Sequence, residues 1–273
     1  MRTLVCLSVF VFSNITHAGL WFKIPSEKEE VKFFGATRES TSELDPENIR
    51  VLVWNQYKGK EQRFRSEFSR LSKNRDVLLL QEALMDKDMT KLYASQRSFS
   101  TVFAASFVYR FSGKATGVAN AANISATSYE AQRSEGREIV GNTPKMVLFT
   151  TYPLKNRSDE LLAVNIHALN SVSWKTLAVQ IIKALGVVKK HQGPVIFGGD
   201  FNTWSKAKMN YLMHAMKRAG LDEVKFKHEE RKMKVFGRAL DHVFTRGVSV
   251  TNAYVEKTDG ADHQPLLLEL HVR

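Results

Sequence analysis

Apolar residues along this chain follow two alternating patterns. Short continuous runs (Val51 to Trp54, Val77 to Leu80, Leu161–Ile166 and Pro194–Phe197) are the kind carried by strands buried on both faces. Between them, apolar positions recur at helical spacing. Phe64, Phe68 and Leu71 form one helix face. Leu177, Ile181, Ala184, Leu185 and Val188 predict a helix over 174–190. Ser205 can cap another, whose Met209, Leu212, Met213 and Met216 share a face and which Gly220 can stop. That methionine stripe reads as core packing, not as a cofactor site. Thr101–Phe107, Thr116–Ala126 and Lys145–Tyr152 are rich in strand formers. The polar 127–144 segment between the last two, with Gly136 and Gly141, predicts a long hairpin or flap. Leu240–Thr245, Val248–Val255 and Leu266–His271 close the chain as strands.

Strands outnumber helices, and helices fall between strands. An α/β architecture of two packed sheets with helices outside follows. No linker cuts the chain. Residues 19–48, mixed and polar with Pro25 and Pro46, predict an exposed lead-in holding at most one short edge strand. Residues 49–273 are expected to form one domain.

Composition changes the picture at the N-terminus. Of 273 residues, 43% are hydrophobic, enough for a large core. After the N-terminus nothing is apolar for as long as a membrane span. Residues 1–18 carry a positive start at Met1-Arg2, an apolar run from Leu4 to Phe12, and Thr16-His17-Ala18. That pattern predicts a secretory signal peptide cut after Ala18, and hence a periplasmic or secreted protein. Cys6, the one cysteine, lies inside it, so the mature chain would rely on its core rather than disulfides. The net charge is +12, and loss of residues 1–18 removes one Arg and no acid, leaving +11. Such an excess favours a polyanion, nucleic acid or an anionic membrane surface. No stable protein partner is implied, and a monomer is expected.

Candidate chemistry sits where the apolar runs end. Asn55, Glu82, His167, Asp200, Asn202, Asp241, Asp262 and His263 each stand at or near a strand end, and strand ends converge on one sheet edge. A carboxylate at the end of a buried strand, as at Glu82, needs a counter-ion or a metal. Oxygen donors suit Mg²⁺, Mn²⁺ or Ca²⁺ rather than zinc. Asn55 could give an amide oxygen to the same ion, and Asp262 could complete the site. Asp200 and Asn202 lie two apart, so on an extended strand end both face one side. Asp241 could hold one nitrogen of His263, whose imidazole then meets a phosphate. His167 could bond the phosphate from the other side. His242 and the remaining histidines read as structural or solvated.

Five motifs, WNQ, LLLQE, GGDFN, LDHVF and ADHQP, in this order over residues 50–271, resemble the endonuclease/exonuclease/phosphatase superfamily. Its fold is that of pancreatic-type deoxyribonuclease. NIHALN, GDFNTWS and FGRALDHVF are similar to a small bacterial branch that includes the YafD-type proteins. The resemblance implies a four-layer α/β sandwich, two packed mixed β-sheets flanked by helices. It also implies a divalent cation held chiefly by Glu82, an Asp–His pair that includes His263, and Asp200 with Asn202 at the phosphate or the attacking water. The sequence shows no clear extra helix for abasic-site recognition, and the 106–144 segment resembles no substrate loop that would name the substrate.

A metal-dependent phosphodiesterase is therefore expected, with a nucleic acid cut at low sequence preference as first substrate. Asn170 and Arg238 are expected to touch it. Lys225, Lys227, Arg231, Lys232, Lys234 and Arg238 form a basic stretch, and Arg110, Lys114, Arg133 and Arg137 border the flap. Tyr109, Phe111 and Trp204 could stack on bases but read rather as packing. Two alternatives stand beside this reading: a phospholipid or sphingomyelin phosphodiesterase, and a non-catalytic polyanion-binding protein. The lipid enzyme would need an exposed aromatic or aliphatic hairpin, and the 130–143 flap is polar.

Overall fold

The computed structural model describes residues 21–35, 42–95, 99–139 and 141–273. The predicted signal peptide lies outside them. The lead-in supplies β1 (Phe22–Lys23), α1 (Glu27–Glu30) and β2 (Val31–Phe34). Then come β3 (Ile49–Asn55), α2 (Phe64–Ser72), β4 (Val77–Met85), α3 (Lys87–Ser95), β5 (Ser100–Tyr109) and β6 (Ala115–Ala122). The second half holds β7 (Ser128–Arg133), β8 (Met146–Pro153), β9 (Glu160–His167), α4 (Trp174–Lys190), β10 (Val195–Asp200) and α5 (Lys206–Arg218). Two-residue strands β11 (Asp222–Glu223), β12 (Lys234–Val235) and β13 (Arg238–Ala239) lead to β14 (Asp241–Arg246), β15 (Val248–Val255) and β16 (Leu266–Val272).

These strands make two mixed sheets. The larger runs β1-β5-β6-β4-β3-β16-β15, with β2 also on β5. The smaller runs β11-β14-β10-β9-β8-β7. β3 and β4 are parallel in one, β9 and β10 in the other. Ile49, Val51, Val53, Val77 and Leu79 of the large sheet meet Leu161, Ala163, Ile196 and Val243 of the small one in the central core. Phe64, Phe68 and Leu71 of α2, with Met89 and Tyr93 of α3, cover the outer face of the large sheet. Leu177, Ile181, Ala184 and Val188 of α4, with Leu212 and Met216 of α5, cover the other. The four-layer sandwich is therefore present. Its largest favourable term is the area these layers withdraw from water.

Polar bridges cross the central core, Asn120 of β6 donating through Nδ2 to Thr150 Oγ1 of β8 at 2.9 Å and a second one nearer the site. Gln81 Nε2 donates to Asn165 Oδ1 at 2.7 Å, and Asn165 Nδ2 donates to the Leu80 and Ala119 carbonyls, each at 3.0 Å. Buried amides need such partners, and this pairing fixes the register of the two sheets just below the strand ends that carry the candidate chemistry.

Three expectations about structure need correction. The lead-in carries two short strands on β5, not one. The first part of the expected flap is an edge strand, β7, paired with β8. Ser128, Tyr129 and Glu130 stay exposed there, so the strand reads as polar; the true hairpin is the 134–145 connection, closed by Ser134 N to Lys145 O and Glu138 N to Thr143 O. α5 turns Lys208 inward, buried beside Leu212 and Met216, while Met209 is only half-buried.

Candidate active site at the sheet edges

Pairing in the small sheet lines up three residues. Asp200 at the end of β10 is opposite His167 on β9 and Asp241 on β14. Gly199 allows this. Its φ of 143° and the Ile166 carbonyl, 2.0 Å from where a Cβ would be, exclude a side chain. The large sheet brings Asn55 from β3 and Glu82 from β4. Glu82 lies in a β-bulge between Leu80 and Ala83, at φ 50°, which aims its carboxylate away from the ladder. Tyr57, Lys58 and Asn202 also have positive φ. Non-glycine residues so strained cluster at functional sites.

Asp200 is the hub. Its Oδ1 accepts from the Asn202 backbone N at 2.9 Å, and its Oδ2 from Asn55 Nδ2 at 3.1 Å. His167 Nε2 is 3.6 Å from Oδ2, too long for a direct bond. Burial pushes the Asp200 carboxyl up to about 7, against the lowering charge of His263. Burial, and then the charges of Lys145, Lys58 and His263, hold His167 well below its ordinary value, so it is neutral.

His263 Nδ1 bonds Asp241 Oδ2 at 2.7 Å, both groups buried, and its backbone carbonyl accepts from Trp54 Nε1 at 3.0 Å. Burial opposes protonation, yet the charge and hydrogen bond of Asp241, with Asp200 and Asp262, raise His263 to about 10. The cleft thus places a carboxyl near neutrality beside an imidazolium. Asn202 Nδ2 is engaged by the Ala168 carbonyl at 3.0 Å.

Glu82 has an unusual environment. Its Oε2 is cut off from solvent without a well-directed hydrogen bond, although Lys58 Nζ is 3.1 Å away. Burial disfavours the Lys58 ammonium, but Glu82 and Tyr109 outweigh this and raise its pKa. Asp262 is raised by burial and then by the charge of Glu82, with His263 acting the other way. A buried Glu82 oxygen neutralised only by Lys58, with the solvent-exposed Asp262 near enough to feel the charge of Glu82, fits a hard divalent ion. Asn55 fits less well, because its Oδ1 accepts from Tyr57 N at 3.1 Å. Asp200, Asp241 and His263 also converge, with donor atoms within 4.8 Å of one another. The Asp241 bond occupies His263, so the Glu82–Asp262 pair is the better oxygen set.

Asn170 is exposed at the rim, and Arg238 is half-buried with Nη1 on the Phe236 carbonyl at 3.1 Å. Lys232 is a correction. It is buried, 3.5 Å from Glu229 and over the Phe226 ring, so it cannot meet a phosphate. His242 is structural, as expected, between Glu223 at 3.0 Å and Thr203 at 3.0 Å. Lys208 escaped the sequence reading. Its ammonium bonds the Asn170 carbonyl and lies near those of Leu169 and Asn202, tying the His167 and Asp200 loops together. Burial lowers it to about 8.

A family model described as Endonuclease/Exonuclease/phosphatase family matches residues 52–263, from β3 through His263. The chain belongs to that family. Similar proteins include a UPF0294 protein of Vibrio campbellii, 34% identical over 224 residues, spanning 81% of this chain and 76% of the relative. A UPF0294 protein of Klebsiella pneumoniae is 36% identical over 224 residues, 82% of each. The fold is similar to the endonuclease/exonuclease/phosphatase of Beutenbergia cavernae, with TM-score 0.65, 14% identity, and coverage of 83% and 72%. It also resembles the human Nocturnin catalytic domain with bound sulfate anion, with TM-score 0.63, 14% identity, and coverage of 92% and 100%. Members of this family are hydrolases, nucleases and phosphatases among them.

Proposed function

We propose that this protein is a divalent-cation-dependent phosphodiesterase. The observation that carries the proposal is the convergence of Asp200, Asp241 and His263, whose donor atoms lie within 4.8 Å of one another with His263 Nδ1 on Asp241 Oδ2 at 2.7 Å. In its ionised form Asp200 takes a proton from the attacking water, held in place by the Asn202 backbone N and the Asn55 amide. The water oxygen bonds to phosphorus as the ester oxygen departs. Imidazolium His263 donates to a phosphoryl oxygen where charge develops, and Asp241 fixes its orientation. Neutral His167 is free to bond another phosphoryl oxygen. Glu82 and Asp262 would hold the cation, which supplies charge neutralisation at the phosphate and leaving oxygen. Lys58 stands at the same carboxylate and would compete with the ion.

Net charge suits a nucleic acid, with Lys234 exposed and Arg238 half-buried on the β12–β13 hairpin, although Lys232 does not contribute. Net charge alone serves an anionic lipid surface equally well. Export before action, from the N-terminal pattern, belongs to the same proposal. Plasmid DNA, RNA, sphingomyelin and a phosphomonoester, each with Mg²⁺, Mn²⁺, Ca²⁺ or chelator, form the test. Diester cleavage that chelator abolishes is expected; cleavage of the monoester alone would refute the proposal.

A further inference from the structure

Three loops rise from the edge that carries the candidate site, and each lifts one large apolar side chain into solvent. The β5–β6 turn (110–114) lies beyond the C-terminal end of β4, where Met85 pairs with Ala115, and carries Phe111, 80% exposed. The 134–145 hairpin lies beyond the His167 end of β9 and carries Ile139, 82% exposed. The β12–β13 hairpin, just ahead of Asp241, carries Phe236, 79% exposed. Among the described residues these are the three most exposed large hydrophobic side chains.

Phe236 is the most telling. Val235 pairs with Arg238, so Phe236-Gly237 is a two-residue turn with φ 50° and 75°. Both signs are those of a type I′ turn, where Asn or Gly fits at the first position. A phenylalanine there is strained and receives no burial in return. Its one aromatic contact is edge-on to Trp204, ring centroids 6.2 Å apart, which leaves most of the ring in solvent. Between Phe236 and Ile139 runs an open groove of about 520 Å³, floored by Val172, Trp204, Val235 and Leu240 and reaching Asn170 at the cleft.

We propose that this rim is a docking face for an anionic phospholipid bilayer, and that the diester cut is that of a lipid head group. Cations stand within two positions of each tip: Arg110 next to Phe111, Arg137 two before Ile139 with Glu138 between them, and Lys234 and Arg238 two to either side of Phe236. Apolar tips ringed by Lys and Arg match a surface with hydrocarbon beneath anionic head groups. Bases of a nucleic acid would require π faces to stack on. Of the three tips Ile139 has none, and Val172, Val235 and Leu240 make the groove floor aliphatic beside Trp204, with Asn170 and Ser171 at its polar end. The hairpin that the polar flap failed to supply is thus the one at 234–239. The choice of lipid as substrate rests on the phosphodiesterase reading; docking itself does not.

Flotation with vesicles in chelator tests docking without turnover. Wild-type protein is expected to float with phosphatidylcholine–phosphatidylglycerol vesicles and not with phosphatidylcholine alone. Phe236→Ser should weaken partitioning about tenfold, and Phe111→Ser, Ile139→Ser and Phe236→Ser together about a hundredfold or more. Phe236→Trp keeps an interfacial aromatic and should retain binding. Failure to float, or flotation unchanged in the triple variant, overturns the proposal. So does a triple variant that loses a single-stranded oligonucleotide while the wild type ignores vesicles, which would assign the tips to bases. Hydrolysis of a soluble diester, measured separately, shows whether the phosphodiesterase reading stands regardless of docking.

Discussion

Replacing Asp241 by Asn should convert His263 from an imidazolium to a neutral ring at working pH. The two groups are 2.7 Å apart, with side chains 8% and 5% exposed, so solvent screens them little. His263 is raised to about 10, whereas an unperturbed histidine titrates near 6.5. A difference of that size corresponds to about 5 kcal/mol favouring the charged ring, of which Asp241 is the largest source. With Asn at 241 burial works against the ring, opposed only by Asp200 and Asp262, and its pKa should fall. At pH 8 the imidazolium population, nearly all molecules in the wild type, would then drop. Loss of one positioned charged donor costs on the order of 10²–10³ in turnover. The assay is a pH–rate profile with bis(p-nitrophenyl) phosphate, beside an NMR titration of the His263 ring in metal-free protein. The deficit of Asp241→Asn should shrink as pH falls and the ring recharges. His263→Ala combined with Asp241→Asn should cost little more than His263→Ala alone, since the two act as a unit. A pH-independent deficit, or single losses that multiply in the double variant, would refute the dyad.

Further outcomes follow from the same structure. Glu82→Gln should remove divalent-dependent turnover by at least about 10² while the thermal midpoint moves by only a few degrees, as checked by calorimetry. Glu223 is lowered to about 2, because hydrogen bonds from His242 and Lys225 outweigh burial, which acts upward. A carboxyl depressed on folding stabilises above its ordinary value of 4.5 and loses that contribution as pH falls toward 2. Up to about 3 kcal/mol should therefore vanish across that window in urea unfolding, and Glu223→Gln should flatten the slope there. Mature exported protein should begin at Gly19, and an intact mass that includes residues 1–18 would contradict processing.

Periodicity carried far where the apolar face was complete. The helix predicted over 174–190 is α4, with Ser173 capping through Thr176 N. Elements whose burial is partial were invisible. α3 buries only Met89 and Tyr93, too few for a periodic signal, and β7 is an edge strand with polar residues on its open face. In the site, strand-end residue types located Asp200, Asp241, His263 and His167 in one cleft, because parallel and antiparallel pairing brings strand ends together. Conditions set by the backbone were hidden. The bulge that turns Glu82, the left-handed turn under Phe236 and the inward Lys208 each arise from tertiary geometry, with no spacing rule to announce them. The basic stretch misled at Lys232 for the same reason, since counting charges does not say which are buried.

Hydrolysis of bis(p-nitrophenyl) phosphate by purified protein, with Mg²⁺ or Mn²⁺, with chelator, and in a His263→Ala variant of unchanged circular dichroism, tests the phosphodiesterase site most directly. The expected result is metal-dependent release of p-nitrophenol that chelator abolishes and that His263→Ala reduces about 10²–10³-fold. Turnover that persists in excess chelator, or that His263→Ala leaves intact, would contradict the assignment of this cleft.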